Sequence, residues 1–244
     1  MPPTQHISIT IPWYVPAIVG ASFIIAALVG AYAFYAVRTL DNVLTVTGSA
    51  KEAVTADTAK WSLTVTRTVG EEGITQGYAR VTKDTETVMQ FLKANGVSDA
   101  SVTTQPQVMD EMYRGDGYPR QFNIRQTIMV QGKDVALIDS LSKRVAELSA
   151  KDIFVTANWI EFYVSNLPEL RVQLLADAIT DAKARAEQIA GAGGQSVGAL
   201  KSASSGVVQV LAPNSIDVSD YGQYDTQSKE KEVMVTARAT FFVR

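Results

Sequence analysis

Residues 176–198 read "ADAITDAKARAEQIAGAGGQSVG", a stretch in which small side chains recur at helical spacing. Apolar residues at alternating steps of four and three form one seam along this helix: Leu175, Ile179, Ala182, Ala186 and Ile189. Ala178 and Ala190 widen the seam. Alanine lets a helix axis approach a neighbouring backbone closely, whereas bulkier side chains hold it away. The seam therefore predicts a helix packed tightly against a sheet or a second helix.

Two partners can fill the space beside this seam. Apolar stripes at helical spacing usually belong to a core, which favours the domain's own sheet. The alternative is a contact between subunits through Ala178, Ala182 and Ala186. The end of the stretch, "GAGGQSVG", has Ser196 where a dinucleotide-binding loop needs glycine, and it closes a helix instead of opening one. We interpret it as a helix C-cap followed by a turn.

Upstream, residues 43–70 predict two strands around a polar turn. In the second strand Trp61, Leu63 and Val65 alternate with serine and threonine. One face of this strand is predicted to be buried, while the other carries a stripe of hydroxyl groups. Such a pattern indicates a sheet that is covered on one side.

Two helices and a pair of strands are predicted next, from the spacing of their apolar residues. In order, they are a helix at 74–92, strands at 101–109 and 122–131, and a helix at 133–150. Pro106 places the first strand at a sheet edge or a bulge, because proline cannot donate to a strand ladder. A Gly/Pro loop at 110–120 joins the two strands as a hairpin.

The C-terminal part predicts three strands and one long helix. The strands are at 152–165, 206–211 and 232–243. Trp159 lies on one face of the first strand and Phe162 on the other, so both faces are expected to be at least partly covered. Asn166 and Glu169 form a capping box that starts the helix. Together the elements predict an α+β domain over residues 43–244, with helices packed on a mixed or antiparallel sheet.

The N-terminal region carries a long apolar segment. No residue in 7–37 bears a full charge, and about 20 apolar helical residues are enough to cross a bilayer. We predict a transmembrane helix at 15–38, with the lipid bilayer as its partner, between a tail at 1–14 and a linker at 39–42. The alternative is a cleaved signal peptide, for which residues 31–33, Ala-Tyr-Ala, offer a cleavage motif. The head "MPPTQH" lacks lysine and arginine, which favours an uncleaved anchor.

The composition excludes several classes of activity. The chain has no cysteine, which rules out disulfides, thiolate nucleophiles and cysteine-based metal sites. Its single histidine, His6, precedes the domain, so histidine-based catalysis is not expected there. With 22 basic and 25 acidic residues the net charge is −3, and no nucleic-acid partner is expected.

Two patterns are similar to reactive sites, but each favours another interpretation. Ser140 and Lys143 match S-x-x-K, yet no K-T-G or complete S-D-N accompanies them, so a solvated helix face is expected. One loop contains several oxygen ligands for a hard cation: Asp217, Ser219, Asp220 and Asp225. Their spacing fails the EF-hand pattern. We therefore predict no enzyme, no metal site and no cofactor.

Tyrosines mark two loops as candidate contact surfaces. They are Tyr113 and Tyr118 in the loop at 110–120, and Tyr221 and Tyr224 before the last strand. Tyrosine combines a large apolar ring with a hydroxyl group, which suits it to interfaces. We expect these loops to contact another subunit or an unidentified protein or small-molecule ligand.

Three segments together resemble one bacterial protein family. They are "TVTGSAKEAVTADTAKWSLTV" at 45–65, "VMQFLKANGVSDASVTTQPQV" at 88–108 and "LLADAITDAKARAEQIAGAGGQSVG" at 174–198. Their order and spacing are similar to those of SIMPL-domain proteins, and the likeness covers residues 44–244. Trp61 and "SDYGQYDTQSKEKEV" at 219–233 resemble a membrane-anchored branch more than the secreted members.

The resemblance implies an α+β domain in the bacterial cell envelope, ring- or cage-like homo-oligomers and links to stress resistance. It implies no established catalytic activity. It also implies a domain outside the cytoplasm, on a single-pass anchor in the inner membrane. Arg38 and Lys51 by themselves favour a cytoplasmic domain, but two residues carry less weight than the family likeness.

Overall fold

A computed structural model describes residues 12–39, 42–215, 219 and 221–244. In chain order the elements are α1 (Tyr14–Thr39), β1 (Val43–Thr55), β2 (Thr58–Gly70), α2 (Ile74–Ala94), β3 (Val102–Thr104), β4 (Val108–Met112), β5 (Gln121–Gly132), α3 (Val135–Lys143), α4 (Ala146–Ser149), β6 (Val155–Tyr163), α5 (Leu167–Ala192), β7 (Val197–Leu211) and β8 (Glu230–Val243). The chain divides into two units. Unit 1 comprises Met1–Gly48, Ile179–Ser204 and Ala237–Arg244, and unit 2 comprises Ser49–Ala178 and Ser205–Thr236.

Helix α1 confirms the predicted apolar helix, with one additional residue at each end. Its segment Tyr14–Ala36 is long and apolar enough to cross a membrane. Large side chains such as Phe23 and Leu28 are exposed along it. Most of the predicted tail at 1–14, and residues 40–41 of the predicted linker, lie outside the described residues.

The α+β class is confirmed, but the strands form two sheets where one was predicted. One sheet has the order β1-β8-β7, and the other has the order β3-β5-β2-β6, with β4 also paired to β5. The consecutive strands β1 and β2 therefore belong to different sheets and form no hairpin. Alternation of polar and apolar residues predicts each strand but leaves its partner open, because pairing depends on what covers each face.

In unit 2, helices α2 and α3 cover one face of the five-stranded sheet. Trp61, Leu63 and Val65 of β2 are fully buried in this layer, as the alternation predicts. They belong to one apolar cluster with Val88 and Leu92 of α2. The opposite face of the sheet keeps the predicted stripe of hydroxyl groups.

Three elements differ in extent from the sequence predictions. The strand expected at 101–109 divides into β3 and β4 on either side of Pro106, and both pieces pair with β5 at the sheet edge. The helix expected at 133–150 divides into α3 and α4, since Arg144 leaves the helical conformation (φ −91°, ψ 13°). Strand β7 begins at Val197 instead of Gly206. Its first half is rich in small residues without apolar alternation, so periodicity does not reveal it.

Helix α5 begins directly after the predicted cap Asn166 and ends before Gly194, whose φ of +70° fits the predicted C-cap. Its buried residues recur every four positions: Leu170, Leu174, Ala178, Ala182, Ala186 and Ala190. Ile189, which the sequence places in the seam, is 53% exposed, so this prediction is wrong. Residues that recur every four positions rotate by about 40° around the helix at each step. Their row therefore moves away from the predicted seam, in which steps of four and three residues alternate.

The alanines of α5 lie inside the chain's own fold. In unit 1, Ala182 and Ala186 pack with Ala239 and Phe241 of β8. In unit 2, Leu170 and Leu174 of the same helix form a cluster with β7 and β8 residues. The close neighbour of the alanine seam in unit 1 is therefore the three-stranded sheet.

Candidate functional site

Strand β7 lies at one edge of the three-stranded sheet. Every side chain from Ala199 to Ser205 is exposed, on both faces of the strand. Further along, the loop before β8 covers the outer edge of β7. There the Val210 N–H donates to the Gln223 carbonyl, and the Val210 carbonyl accepts from the Asp225 N–H, each at 2.8 Å. A long exposed edge with small side chains is a template for pairing with another strand.

Strand β1 forms the second edge of this sheet. Its contacts with β8 include the hydroxyls of Thr45 and Thr240 at 2.9 Å in unit 1. In unit 2, Lys51 Nζ lies 3.0 Å from a carboxylate oxygen of Glu232. The side chains of residues 51–53 are exposed. The three-stranded sheet thus presents two different edges, β1 and β7.

A cavity of about 550 Å³ lies on the face of the five-stranded sheet opposite the helices, in unit 2. We call it the threonine cavity, because Thr64, Thr66, Thr127 and Thr156 line it. The hydroxyls of Thr64 and Thr127 are 2.9 Å apart, and those of Thr66 and Thr156 are 2.7 Å apart. Gln105 also contributes to the wall. Hydroxyl groups from three neighbouring strands therefore converge here.

A backbone irregularity flanks the threonine cavity on each side. Strand β6 shifts register against β2 beside Thr64, which leaves Thr156 as an extra residue. On the other side, the three residues 105–107 between β3 and β4 face only the two residues 126–127 of β5. Bulges of this kind re-aim side chains and are frequent next to functional sites.

The threonine cavity also has an apolar part, to which Pro106, Val108 and Ala157 contribute, and a large aromatic ring stands beside it. Arg125 in the wall forms an ion pair with Asp110 at 2.8 Å. Trp159 of β6 pairs with Ser62 of β2 and so stands on the same face as the cavity. It is 64% exposed, so the prediction that both faces of this strand are at least partly covered is wrong at Trp159. The helices α2 and α3 pack on the other face of the sheet.

Three of the four predicted contact tyrosines are largely exposed. Tyr113, Tyr118 and Tyr221 have exposed fractions of 79%, 64% and 97%. Tyr224 is instead held in unit 2, where its hydroxyl accepts a hydrogen bond from the Val164 N–H at 3.0 Å. Its surface is therefore less available than that of the other three. The partner of these loops stays a prediction.

The S-x-x-K residues do not form a reactive couple. Ser140 Oγ donates to the Leu137 carbonyl at 2.8 Å, and Lys143 Nζ donates to Asp139 Oδ2 at 2.8 Å. Lys229 donates to the same carboxylate. Burial by itself raises the pKa of Asp139, but the hydrogen bonds from Lys143 and Lys229 outweigh burial and lower this pKa. These residues hold helix α3 to the segment before β8.

The predicted acidic loop is described only in part, because Asp217 and Asp220 lie outside the described residues. Asp225 accepts hydrogen bonds from backbone N–H groups two and three residues ahead. It also lies 3.7 Å from Nζ of Lys231, a lysine whose side chain is fully buried. Burial lowers the pKa of Lys231, and the charge of Asp225 opposes that shift. Asp225 is thus engaged in holding its own loop.

The chain that carries this alanine-rich helix also matches the model of a known protein family. The model of the SIMPL family, described as a protein of unknown function (DUF541), matches residues 44–241. The chain belongs to the SIMPL family. The SIMPL region runs from the second residue of β1 into β8, so it contains the strands of both sheets and excludes α1. No curated protein matches the chain.

Proposed function

We propose that the protein is a non-enzymatic, membrane-anchored SIMPL protein whose domain assembles into homo-oligomeric rings or cages in the bacterial cell envelope. The observation that supports assembly is the pair of edges on one three-stranded sheet, β1 and the exposed Ala199–Ser205 part of β7. Unpaired amide groups at a sheet edge are satisfied when a strand of another molecule pairs with them. A second copy of this chain supplies such a strand.

The two edges favour a ring over a simple dimer. Pairing of β7 in one copy with β1 in the next joins two different surfaces, and such a contact generates a ring when its rotation closes. Pairing of β7 with β7 would stop at a dimer. The small side chains that predominate in Ala199–Ser205 offer little steric obstruction to a neighbouring sheet.

Helix α1 supports the membrane part of the proposal. Its 26 residues extend about 39 Å, enough for the apolar core of a bilayer with some tilt. The family resemblance supports an inner-membrane location, a domain outside the cytoplasm and a role in stress resistance. Protease added to spheroplasts is expected to remove the domain and leave a fragment containing α1. Full protection of the domain would contradict this orientation.

Introduced cysteines test the edge contact, because the chain has none of its own. Ser202→Cys marks β7 and Ala53→Cys marks β1. We expect a short bismaleimide to crosslink a mixture of the two single variants into dimers, and to turn the double variant into a ladder. Each single variant alone should remain one chain on a denaturing gel.

The controls separate the possible contacts. In the control experiment, Gln188→Cys at an exposed position of α5 is used in place of Ser202→Cys. It should give no crosslink with Ala53→Cys. Dimers formed by Ser202→Cys alone would indicate a symmetric β7–β7 contact and contradict the ring. No crosslink in any combination would contradict edge pairing.

Added charge provides a second measurement of assembly. Ala203→Lys with Ser205→Lys places positive charge on the β7 edge, a device by which natural proteins prevent edge pairing. We expect mass photometry in mild detergent to show single chains for this variant. Gln173→Lys with Gln188→Lys adds the same charge on α5 and should keep the assembly. An unmodified chain that is monomeric at every concentration would contradict the proposal.

A second candidate function is ligand capture, as in a binding module or a chaperone-like protein. The supporting observation is the exposure of Tyr113 and Tyr118 on one loop. Tyr113→Ala with Tyr118→Ala should then abolish ligand capture and leave assembly intact. Deleting residues 215–227 is a poorer test, because Tyr224 and Asp225 in that segment are bonded into unit 2.

A further inference from the structure

We propose that the threonine cavity binds a neutral carbohydrate chain, with Trp159 as a stacking surface beside it. The site lies on the five-stranded sheet of unit 2. It is separate in sequence and in sheet from the β1 and β7 edges, so the inference does not rest on the proposed assembly.

The hydrogen-bonding groups of the cavity match a ligand that carries many hydroxyls. Two hydroxyls joined by one hydrogen bond use one of their two O–H donors, so the Thr64–Thr127 pair keeps one donor and several lone pairs. Asn123 accepts from Thr68 through Oδ1 at 2.7 Å. Within the described part of the chain its Nδ2 group has no partner. The wall therefore offers donors and acceptors together, as a sugar ring requires.

The charge balance argues against ionic ligands. Among the described residues of the wall, Arg125 is the one cation, and Asp110 neutralises it at 2.8 Å. A phosphate or carboxylate would have to compete with Asp110 for the guanidinium. An apolar ligand would cover the threonine hydroxyls without replacing their bonds to water, which is unfavourable. A neutral polyhydroxyl ligand avoids both costs.

Trp159 supplies the apolar contact that the hydroxyl groups lack. It lies two residues along β6 from Ala157, which lines the cavity, so the two Cα atoms are about 7 Å apart on the same face. Tryptophan is highly buried on average, and here 64% of it is exposed. An aromatic ring with a polar N–H suits a ligand that has both C–H faces and hydroxyl edges.

The backbone is adapted to bring Thr156 into the cavity. In a regular strand Thr156 would point to the side opposite Ala157, towards the helices. The bulge on β6 turns it to the open face, where its hydroxyl meets that of Thr66. Thr156 itself is exposed. The same shift sets Val155 opposite Val65, where it packs against the apolar cluster, so one bulge places a core residue on one face and a hydroxyl group on the other.

Titration of neutral tetrasaccharides into the full chain tests the inference. The protein is held in phospholipid nanodiscs, because alkyl glycoside detergents would compete for the site. Chitotetraose carries acetamido groups, whereas cellotetraose and maltotetraose carry only hydroxyls. We expect at least one of these probes to bind saturably at millimolar or lower concentration, measured by titration calorimetry and by tryptophan fluorescence. The probe that binds distinguishes an acetylated glycan from a plain one.

Matched variants locate the binding. Trp159→Ala should weaken the affinity about tenfold, through loss of stacking. Thr127→Val keeps the shape, removes one hydroxyl and should weaken the affinity about fivefold. Val172→Ala removes an exposed apolar side chain of α5, outside the cavity, and should leave the affinity unchanged. Cooperative unfolding of each variant verifies that it folds.

Three results would overturn the inference. One is the failure of every probe to saturate the protein, and another is equal affinity in Trp159→Ala and the unmodified chain. The third is a change of particle mass in Trp159→Ala with sugar binding intact, which would assign this face to a contact between copies. Each result leaves the β1–β7 assembly open to its own crosslinking test.

Discussion

The helix layer on the three-stranded sheet in unit 1 contains smaller side chains than the helix layer on the five-stranded sheet in unit 2. The apolar cluster on the five-stranded sheet contains Trp61, Leu63 and Leu92, whereas the cluster on the three-stranded sheet in unit 1 contains Ala186 and Ala239. Bulky layers remove more apolar area from water, at about 25 cal/mol for each Å². An alanine layer gains close approach but buries little. In unit 1 the sheet with this small layer also has β1 and the exposed part of β7 as its edges, so contacts with a neighbour would add most to the stability there.

Trp61→Ala would break the bulky layer, and we expect it to have the largest effect. Trp61 is fully buried, and its indole N–H donates to Asn158 Oδ1 at 2.6 Å. Truncation of a core tryptophan to alanine costs about 3–5 kcal/mol of the free energy of unfolding. Urea unfolding followed by circular dichroism measures this loss. The exposed Trp159→Ala is the control and should stay within about 0.5 kcal/mol; equal losses would contradict the burial difference.

Ala186→Leu tests the alanine layer by enlarging a side chain, whereas Trp61→Ala removes one. A leucine there must displace β8, and overpacking of this kind costs about 1–3 kcal/mol. The melting temperature should fall, and the particle size is measured in the same samples. Ala184→Leu on the exposed side of α5 is the control and should change little. If Ala186→Leu leaves both the melting temperature and the particle size unchanged, the backbones do not approach closely.

Asp139→Asn has the smallest expected effect of the three substitutions. It weakens the polar contacts that Lys143 and Lys229 make with Asp139 beside the bulky layer. The pKa of Asp139 is lower in the folded chain than in the unfolded one. Its carboxylate therefore stabilises the fold above the unfolded pKa, near 4, and this stabilisation is lost as the pH falls through the folded pKa. We expect a loss of about 1 kcal/mol at neutral pH.

The pH dependence separates charge from shape in this variant. Urea midpoints of Asp139→Asn and the unmodified chain should differ at neutral pH and converge in strong acid. A difference that persists in strong acid would mean that packing, and not the bonds from Lys143 and Lys229, carries the effect.

Most elements are predictable from the sequence wherever apolar residues keep a regular period. Helix α2 is found at Ile74–Ala94 against the predicted 74–92, and β2 shows the predicted alternation. The missed start of β7 has a physical cause. The run Ala199–Ser205 is exposed on both faces, so nothing selects apolar residues at alternate positions.

The candidate sites were predictable only in part. The hydroxyl stripe of β2 includes Thr64, but its hydrogen-bond partner Thr127 lies on a strand far away in sequence. Thr156 reaches the cavity because of a bulge in β6, and the local sequence pattern does not predict this bulge. The hydrogen bond to Asp139 likewise comes from Lys229, which is 90 residues away in the sequence. Tyr224 looks like its three exposed counterparts in sequence, but in the structure its hydroxyl is bonded to Val164 and its ring contacts Tyr163.

The sequence by itself determined that α1 is apolar, that β2 has one buried and one hydroxyl face, and that α5 has an alanine side. Each of these is a periodicity within one local segment. Only the tertiary structure decided that β1 and β2 join different sheets, that β1 and β7 remain edges, and that Thr156 faces the cavity. These features depend on pairing between strands far apart in the chain, whose register is set by interstrand hydrogen bonds and by the layers packed on each face.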